Sequence, residues 1–252
     1  MINFVELIKN TNKTPVFLDL NNLLYRYHYV YTPDKFKTKQ GIPNGFMFGL
    51  AQTLKTLYNL NYIVFICEDS LDNWRKSLNE NYKANRTHNI SFNKNFPEIR
   101  DLISNLPDTY TISVEGREAD DLMYSGAKIC SSLGIKCYIY SRDKDLLQSL
   151  DENISILEKV TLSKKDTVCY NSDEYFSKFS IEPSKLPLYR AFKGDISDNL
   201  PIPVKRLPKD LLLDLVDYLY NNGSLKEYSI KKKSHEKWMK ELVSNWDIFI
   251  KN

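Results

Sequence analysis

YTISVEGREADDLMYSGAKICSSLGIKCYIYSRDKD, residues 110–145, reads as strand, helix, strand. The run YTISV at 110–114 is short and β-rich, 117–133 carries apolar residues at helical spacing, and KCYIYS at 136–141 is a strand again. Outward from this unit, strand-like runs recur at 15–19 (PVFLD), 62–67 (YIVFIC) and 154–158 (ISILE), with helical patterns near 45–60, 71–84 and 97–105. The alternation predicts an α/β fold, a parallel sheet covered by helices on both faces. Such sheets bind ligands outside the carboxyl ends of their strands, where Asp19, Glu68 or Asp69, and Asp143 fall.

Acid gathers at the same places. Asp19 follows VFL, Glu68 and Asp69 follow IVFIC, GREADD holds Glu118, Asp120 and Asp121, SRDKD holds Asp143 and Asp145, and GDISDN holds Asp195 and Asp198. Glu118 and Asp121 are three apart and share a helix face, and so do Asp195 and Asp198 if helical. Asp143 and Asp145 are two apart, which puts both on one side of an extended segment. Each cluster alone has a plainer explanation, because acids favour helix starts and Asp-rich turns are common. Five of them at successive element ends argue for convergence.

Composition narrows the partner. The 252 residues are 42% hydrophobic and 27% charged, the make-up of a soluble globular chain. No apolar run approaches the roughly 20 residues of a membrane span. The amino terminus MINFVELIKN has no signal-peptide core, so a cytoplasmic location and no membrane partner are expected. Cys67, Cys130, Cys137 and Cys169 show no CxxC spacing and read as buried reduced thiols. The net charge is +3; with the ten named carboxylates gathered at one site, 35 basic residues would face 22 remaining acids elsewhere, a balance of +13. Basic residues concentrate at Lys35–Lys39, Arg75–Arg86, Lys205–Lys209 and Lys231–Lys233, so a polyanion held by the basic surface would meet the acidic spot.

Carboxylates packed together repel and take up protons unless cations neutralise them. An all-oxygen set without His or Cys points to hard divalent ions, Mg²⁺ or Mn²⁺. Two such ions about 4 Å apart can activate water, grip a phosphodiester and stabilise its leaving oxygen, so phosphodiester hydrolysis is the expected reaction. His28, His88 and His235 are scattered and read as surface residues rather than general bases.

The ordered strings VFLDLNNLLYR (16–26), PNGFMFGL (43–50), WRKSLNENYKANR (74–86), VEGREADDL (114–122), YSRDKDLLQSL (140–150) and AFKGDISDNLP (191–201) resemble the motifs of the 5′ nuclease family. That family includes bacteriophage flap endonucleases and the 5′-3′ exonuclease domain of bacterial DNA polymerase I. The resemblance implies a PIN-like sheet flanked by helices in a nuclease domain over 1–190, an arch at about 70–95, and a helical DNA-binding region over 191–252. It carries Asp19, Glu118, Asp120, Asp121, Asp143, Asp145, Asp195 and Asp198 onto acidic metal positions. At the second strand, counting back seven residues from Arg75 selects Glu68, whereas residue type favours Asp69, and the register is preferred.

Within YKANR the resemblance implies that Lys83 lies near the scissile phosphate, with Arg86 one turn away as a second catalytic cation and Tyr82 able to stack on an unpaired base. Arg26 and Arg75 are further candidates for phosphate contacts. Two departures stand out: Leu20 replaces the glycine usual after the first aspartate, and no glycine occurs between Leu200 and Leu219, where family members commonly place a glycine-containing hairpin with a K⁺ site. Bulky residues keep backbone from approaching phosphate, so that K⁺ site is in doubt and Lys205, Arg206 and Lys209 would substitute as side-chain contacts. The expectation is a monomeric, metal-dependent nuclease acting on DNA with 5′ ends or 5′ flaps, RNA-DNA hybrids included, in primer removal or repair. The alternatives are an inactive nucleic-acid-binding homologue or a PIN-type ribonuclease.

Overall fold

A computed structural model of the chain describes residues 3–30, 44–70, 73–83, 96–159, 167–195 and 200–251. The chain divides into two compact units, Met1–Asn73 with Asn89–Glu174, and Trp74–His88 with Tyr175–Asn252. The helical unit takes up the chain again at Tyr175, and Tyr175, Ile181, Leu186 and Phe192 are buried. The chain's strands are β1 (Thr14–Asp19), β2 (Tyr62–Cys67), β3 (Thr109–Ile112), β4 (Cys137–Tyr140), β5 (Ile154–Lys159) and β6 (Val168–Tyr170). Its helices are α1 (Phe4–Asn10), α2 (Leu20–Val30), α3 (Asn44–Asn59), α4 (Trp74–Leu78), α5 (Phe96–Ser104) and α6 (Ala119–Ser132). There follow α7 (Ser172–Phe179), α8 (Leu186–Lys193), α9 (Lys209–Asn222), α10 (Glu236–Ser244) and α11 (Trp246–Lys251). Among the described residues no helix is long and apolar enough to cross a membrane.

The first unit is a six-stranded sheet of order β3-β2-β1-β4-β5-β6. The first five strands pair in parallel, and β6 pairs antiparallel with β5 at the edge. Three residues are too few to show a strand period, so β6 is not legible in sequence. β1 is the central strand, and Val16, Phe17 and Leu18 are wholly buried because helices cover both faces. On one face Val16, Leu18, Val64 and Ile66 pack with Leu23 and Leu24 of α2, Leu54 and Leu57 of α3, and Ile99 and Ile103 of α5. On the other Phe17 stacks on Phe65 at 5.3 Å, with Phe4 of α1 against Phe65 at 5.0 Å, and α6 crosses Phe17 at Gly126. Register sets Asp19 beside Cys67, Cys67 beside Ile112 and Leu18 beside Tyr140, so the carboxyl ends of β1, β2 and β4 finish together.

The second unit is helical. Its core holds Leu211, Leu212, Leu215, Val216 and Leu219 on the buried face of α9, with Leu242 and a Phe192–Phe249 pair at 4.5 Å. The helical pattern read at 71–84 shortens to α4, because Asn81 N–H turns to Asn79 Oδ1 at 3.0 Å and Lys83 takes the left-handed region at φ 54°. The last helical stretch divides into α10 and α11. It breaks at Asn245, whose side-chain amide donates to the Pro203 carbonyl at 2.8 Å.

Candidate metal and nucleic-acid site

Asp19 ends β1 and caps α2: its Oδ1 accepts from the Asn22 N–H at 2.9 Å, which turns the chain from strand to helix in one step. Leu20, the residue in the usual glycine position, is wholly buried in the core with Leu23 and Leu24. The bulk of that side chain is therefore spent in the core.

Asp69 lies two residues past the end of β2. Its Oδ2 accepts from Asn21 Nδ2 at 2.8 Å and its Oδ1 from the Ala119 N–H at 2.7 Å, joining the starts of α2 and α6. Burial pushes the Asp19 carboxyl up, the negative charge of Asp69 adds to it and that of Asp143 follows; against the Asn22 hydrogen bond, these raise it to about 7. The Cys67 thiol between them is pushed well above its ordinary value by burial and by the charges of Asp19, Asp120 and Glu68. Asp19, Asp69, Asp120 and Asp143 thus act on one end of the sheet.

Glu68 goes elsewhere. It is 2% exposed, and Arg100 of α5 grips both its oxygens, Nε to Oε1 at 3.0 Å and an η nitrogen to Oε2 at 2.7 Å. This pairing engages both Glu68 oxygens with Arg100, whereas Asp69 lies at the starts of α2 and α6. Glu68 shares the parity of Ile66 and faces α5, whereas Asp69 shares the parity of Cys67 and Phe65 and faces α6, as Asp19 does with Phe17.

Glu118, Asp121 and Asp143 hold turns. Glu118 is buried at the start of α6, and its N–H donates to Asp121 Oδ2 at 3.1 Å. Asp143 caps the 3₁₀ turn Lys144–Ser149 by accepting from the Asp145 N–H at 2.9 Å, while its own N–H donates to Ser141 Oγ at 3.0 Å. Among the described residues no three Asp, Glu, His or Cys side chains close into a ready cage for an ion. Asp195 belongs to the helical unit, where its carboxylate meets Arg190 and its backbone bridges Leu200. Asp198 lies outside the described residues.

The candidate cations have their own surroundings. Arg26 lies over the Tyr140 ring at 5.5 Å with a nitrogen 3.5 Å from Asn22 Oδ1, and Arg75 lies over the exposed Trp74 ring at 4.7 Å. Tyr82 is only 8% exposed, with Lys83 Nζ 5.0 Å from its ring. Arg86 and His88 lie outside the described residues. Lys205, Arg206 and Lys209 are exposed around the start of α9, with Arg206 left-handed at φ 57°. His235, read as a surface residue, is buried 6.2 Å from Trp238. Sequence reading missed Asn21, Asn22 and Arg100, the groups that orient Asp69, Asp19 and Glu68; the Asn-Asn pair directly after Asp19 was the available signal, and Arg100 had none.

Residues 14–180 match the model of the 5′-3′ exonuclease N-terminal, resolvase-like domain. A 5′-3′ exonuclease of Buchnera aphidicola subsp. Schizaphis graminum is 30% identical over 197 residues, 76% of this chain and 66% of that protein. One of Aquifex aeolicus is 30% identical over 193 residues, 75% of this chain and 64% of that protein. The chain thus matches about two thirds of the length of these relatives. The D15 flap endonuclease of bacteriophage T5, in a pseudo-enzyme-product complex with DNA and metal ions, superposes with TM-score 0.68 at 15% identity, covering 95% of this chain and 87% of that one. The catalytic core of Rad2 in complex with DNA superposes with TM-score 0.54 at 12% identity over 97% of this chain and 75% of that one. Their shared architecture is the PIN-like one, a mostly parallel sheet flanked by helices. By its match over residues 14–180, the chain belongs to the 5′-3′ exonuclease family.

Proposed function

We propose that the chain is a divalent-metal-dependent 5′-3′ exonuclease and 5′-flap endonuclease, a monomer acting on DNA in primer removal or repair. The observation that carries the reading is the meeting of carboxylates from separate motifs at the carboxyl end of the sheet: Asp69 joins the starts of α2 and α6, and the charges of Asp69 and Asp143 both act on the Asp19 carboxyl at the end of β1. A protein that bound nucleic acid without cutting it would gain nothing from acids that repel phosphate.

The donor set fits Mg²⁺ or Mn²⁺, since it is all carboxylate and already electrostatically crowded. Asp19, Asp69, Glu118, Asp120, Asp121 and Asp143 would hold the ions, with Asp145, Asp195 and Asp198 proposed on their place in the motif order. The ions would supply Lewis-acid polarisation of the phosphodiester and charge for the leaving oxygen. Asn21 and the Ala119 N–H orient Asp69, and the Asn22 N–H orients Asp19, which supports a role for both as donors held in place before an ion binds. Lys83 and Arg86 are proposed to stabilise charge on the phosphoryl group, and Arg26, Arg75, Lys205, Arg206 and Lys209 to hold backbone phosphates.

The test is cleavage of matched DNA, RNA and hybrid 5′ flaps in Mg²⁺ or Mn²⁺. DNA-flap cleavage abolished by Asp120→Ala with Asp121→Ala supports the reading, and full activity in that double variant refutes it. Preference for the RNA flap would make the chain a ribonuclease.

A further inference from the structure

All three acids of α9 are compensated by groups from outside the helix. Asp217 is held by Lys185 at 2.9 Å. Asp210 is held by Lys232 at 2.5 Å, with His235 Nε2 at 3.6 Å. Asp214 pairs with Lys231 and accepts from the Tyr228 hydroxyl at 2.6 Å. The Lys232 hydrogen bond lowers the Asp210 carboxyl; Asp214 is held low by Lys231 and Tyr228 even though burial pushes it up. Asp210 and Asp214 are four residues apart on one face, so the segment Tyr228–His235 meets both.

These pairs are poorly placed to stabilise the fold. Lys231 and Lys232 are 71% and 60% exposed, and ion pairs at such exposure contribute little to stability. Their effect on the field is larger. Lys205, Arg206 and Lys209 are exposed, and among the described residues no ion pair engages any of them. Asp210 follows Lys209 directly in the first turn of α9, so its charge, unless held by Lys232, lowers the positive field of this basic group.

We infer that Tyr228–His235 is a charge screen: by holding Asp210 and Asp214 it leaves Lys205, Arg206 and Lys209 as uncompensated charge for the phosphate backbone of a nucleic-acid duplex. The partner's identity rests on the nuclease reading above. In this role Lys231 and Lys232 act through the aspartates.

The experiment measures binding of a fluorescent 5′-flap duplex by anisotropy in EDTA, where no cleavage competes. Lys231→Ala with Lys232→Ala is expected to bind about 5- to 10-fold more weakly near 0.1 M salt, as two restored negative charges oppose the backbone. Adding Asp210→Asn with Asp214→Asn to that variant is expected to return affinity to within about twofold, since the charges needing a screen are gone. The two Asn substitutions in the otherwise unaltered chain are expected to leave binding as tight or tighter, which keeps the screen testable should the lysine variant fold poorly. Unchanged binding on losing both lysines, or a loss that the Asn substitutions do not rescue, would overturn the screen. Absent flap cleavage with binding and rescue intact would instead overturn the nuclease reading and leave the screen standing.

Discussion

Glu68 and Asp69 are adjacent acids with opposite roles because successive residues at a strand end project to opposite faces of the sheet. Glu68 meets Arg100 on the α5 side, and Asp69 meets Asn21 and the start of α6. Arg100→Ala leaves a buried carboxylate without its cation and is expected to destabilise the chain by about 2–3 kcal/mol, less than a fully buried pair because the guanidinium is half exposed. Glu68→Met with Arg100→Leu is expected to recover most of that in thermal melts while flap cleavage persists; loss of cleavage in that double variant would restore Glu68 as a ligand. Asp19 gives a pH prediction. Its carboxyl is raised from 3.8 to about 7, so between those values the folded metal-free chain binds more protons than the unfolded one. This group's contribution to stability is therefore fully present at low pH and is lost as pH rises through that window. Cation binding competes with the same proton, so Mg²⁺ or Mn²⁺ should raise the melting temperature more at pH 8 than at pH 5.5. Equal shifts at both pH values would show that Asp19 is not a ligand.

At the scale of elements, α6 is the piece whose placement matters most. Its first turn carries Asp120 and Asp121, and its middle approaches β1 so closely that a Cβ on Gly126 would lie 2.4 Å from the Phe17 ring. Helix propensity alone would favour alanine there by about 1 kcal/mol. Packing opposes it, since Phe17 is itself fully buried and stacked on Phe65. Gly126→Ala is expected to destabilise by about 1–3 kcal/mol and to lower cleavage by shifting the start of α6; a stabilised variant in thermal melts would show that Phe17 can yield. Gly194 is confined in a similar way, for a left-handed φ of 63° and a site for Cβ 2.8 Å from the Pro201 carbonyl leave room for no side chain beside Asp195.

For the whole molecule, the near-neutral net charge of +3 hides a segregation of charge. Asp19, Asp69, Asp120 and Asp143 of the first unit act on one end of the sheet, and the acids of α9 are paired within the second unit. Duplex binding should therefore be strongly salt-dependent, and replacing Lys205, Arg206 and Lys209 by alanine should reduce the slope of log affinity against log salt by about 2–3, near 0.9 for each phosphate no longer neutralised. An unchanged slope in salt titrations would remove these residues from the interface.

Much of this was written in the chain itself. The runs at 15–19, 62–67, 136–141 and 154–158 became strands within a residue or two of the bounds read from them, and 45–60, 97–105 and 117–133 became helices, because buried parallel strands and their covering helices carry continuous local hydrophobic signals. Asp19 and the acids in EADD and SRDKD also fell at strand and helix ends, as short-range turn chemistry requires. What the tertiary structure alone decided was which neighbour each side chain meets. Arg100 takes Glu68, Tyr82 sinks from view, and Lys231 and Lys232 reach Asp214 and Asp210. Those outcomes depend on face parity, burial and charges far apart in sequence, and no local pattern encodes a distance between residues 32 positions apart such as Glu68 and Arg100.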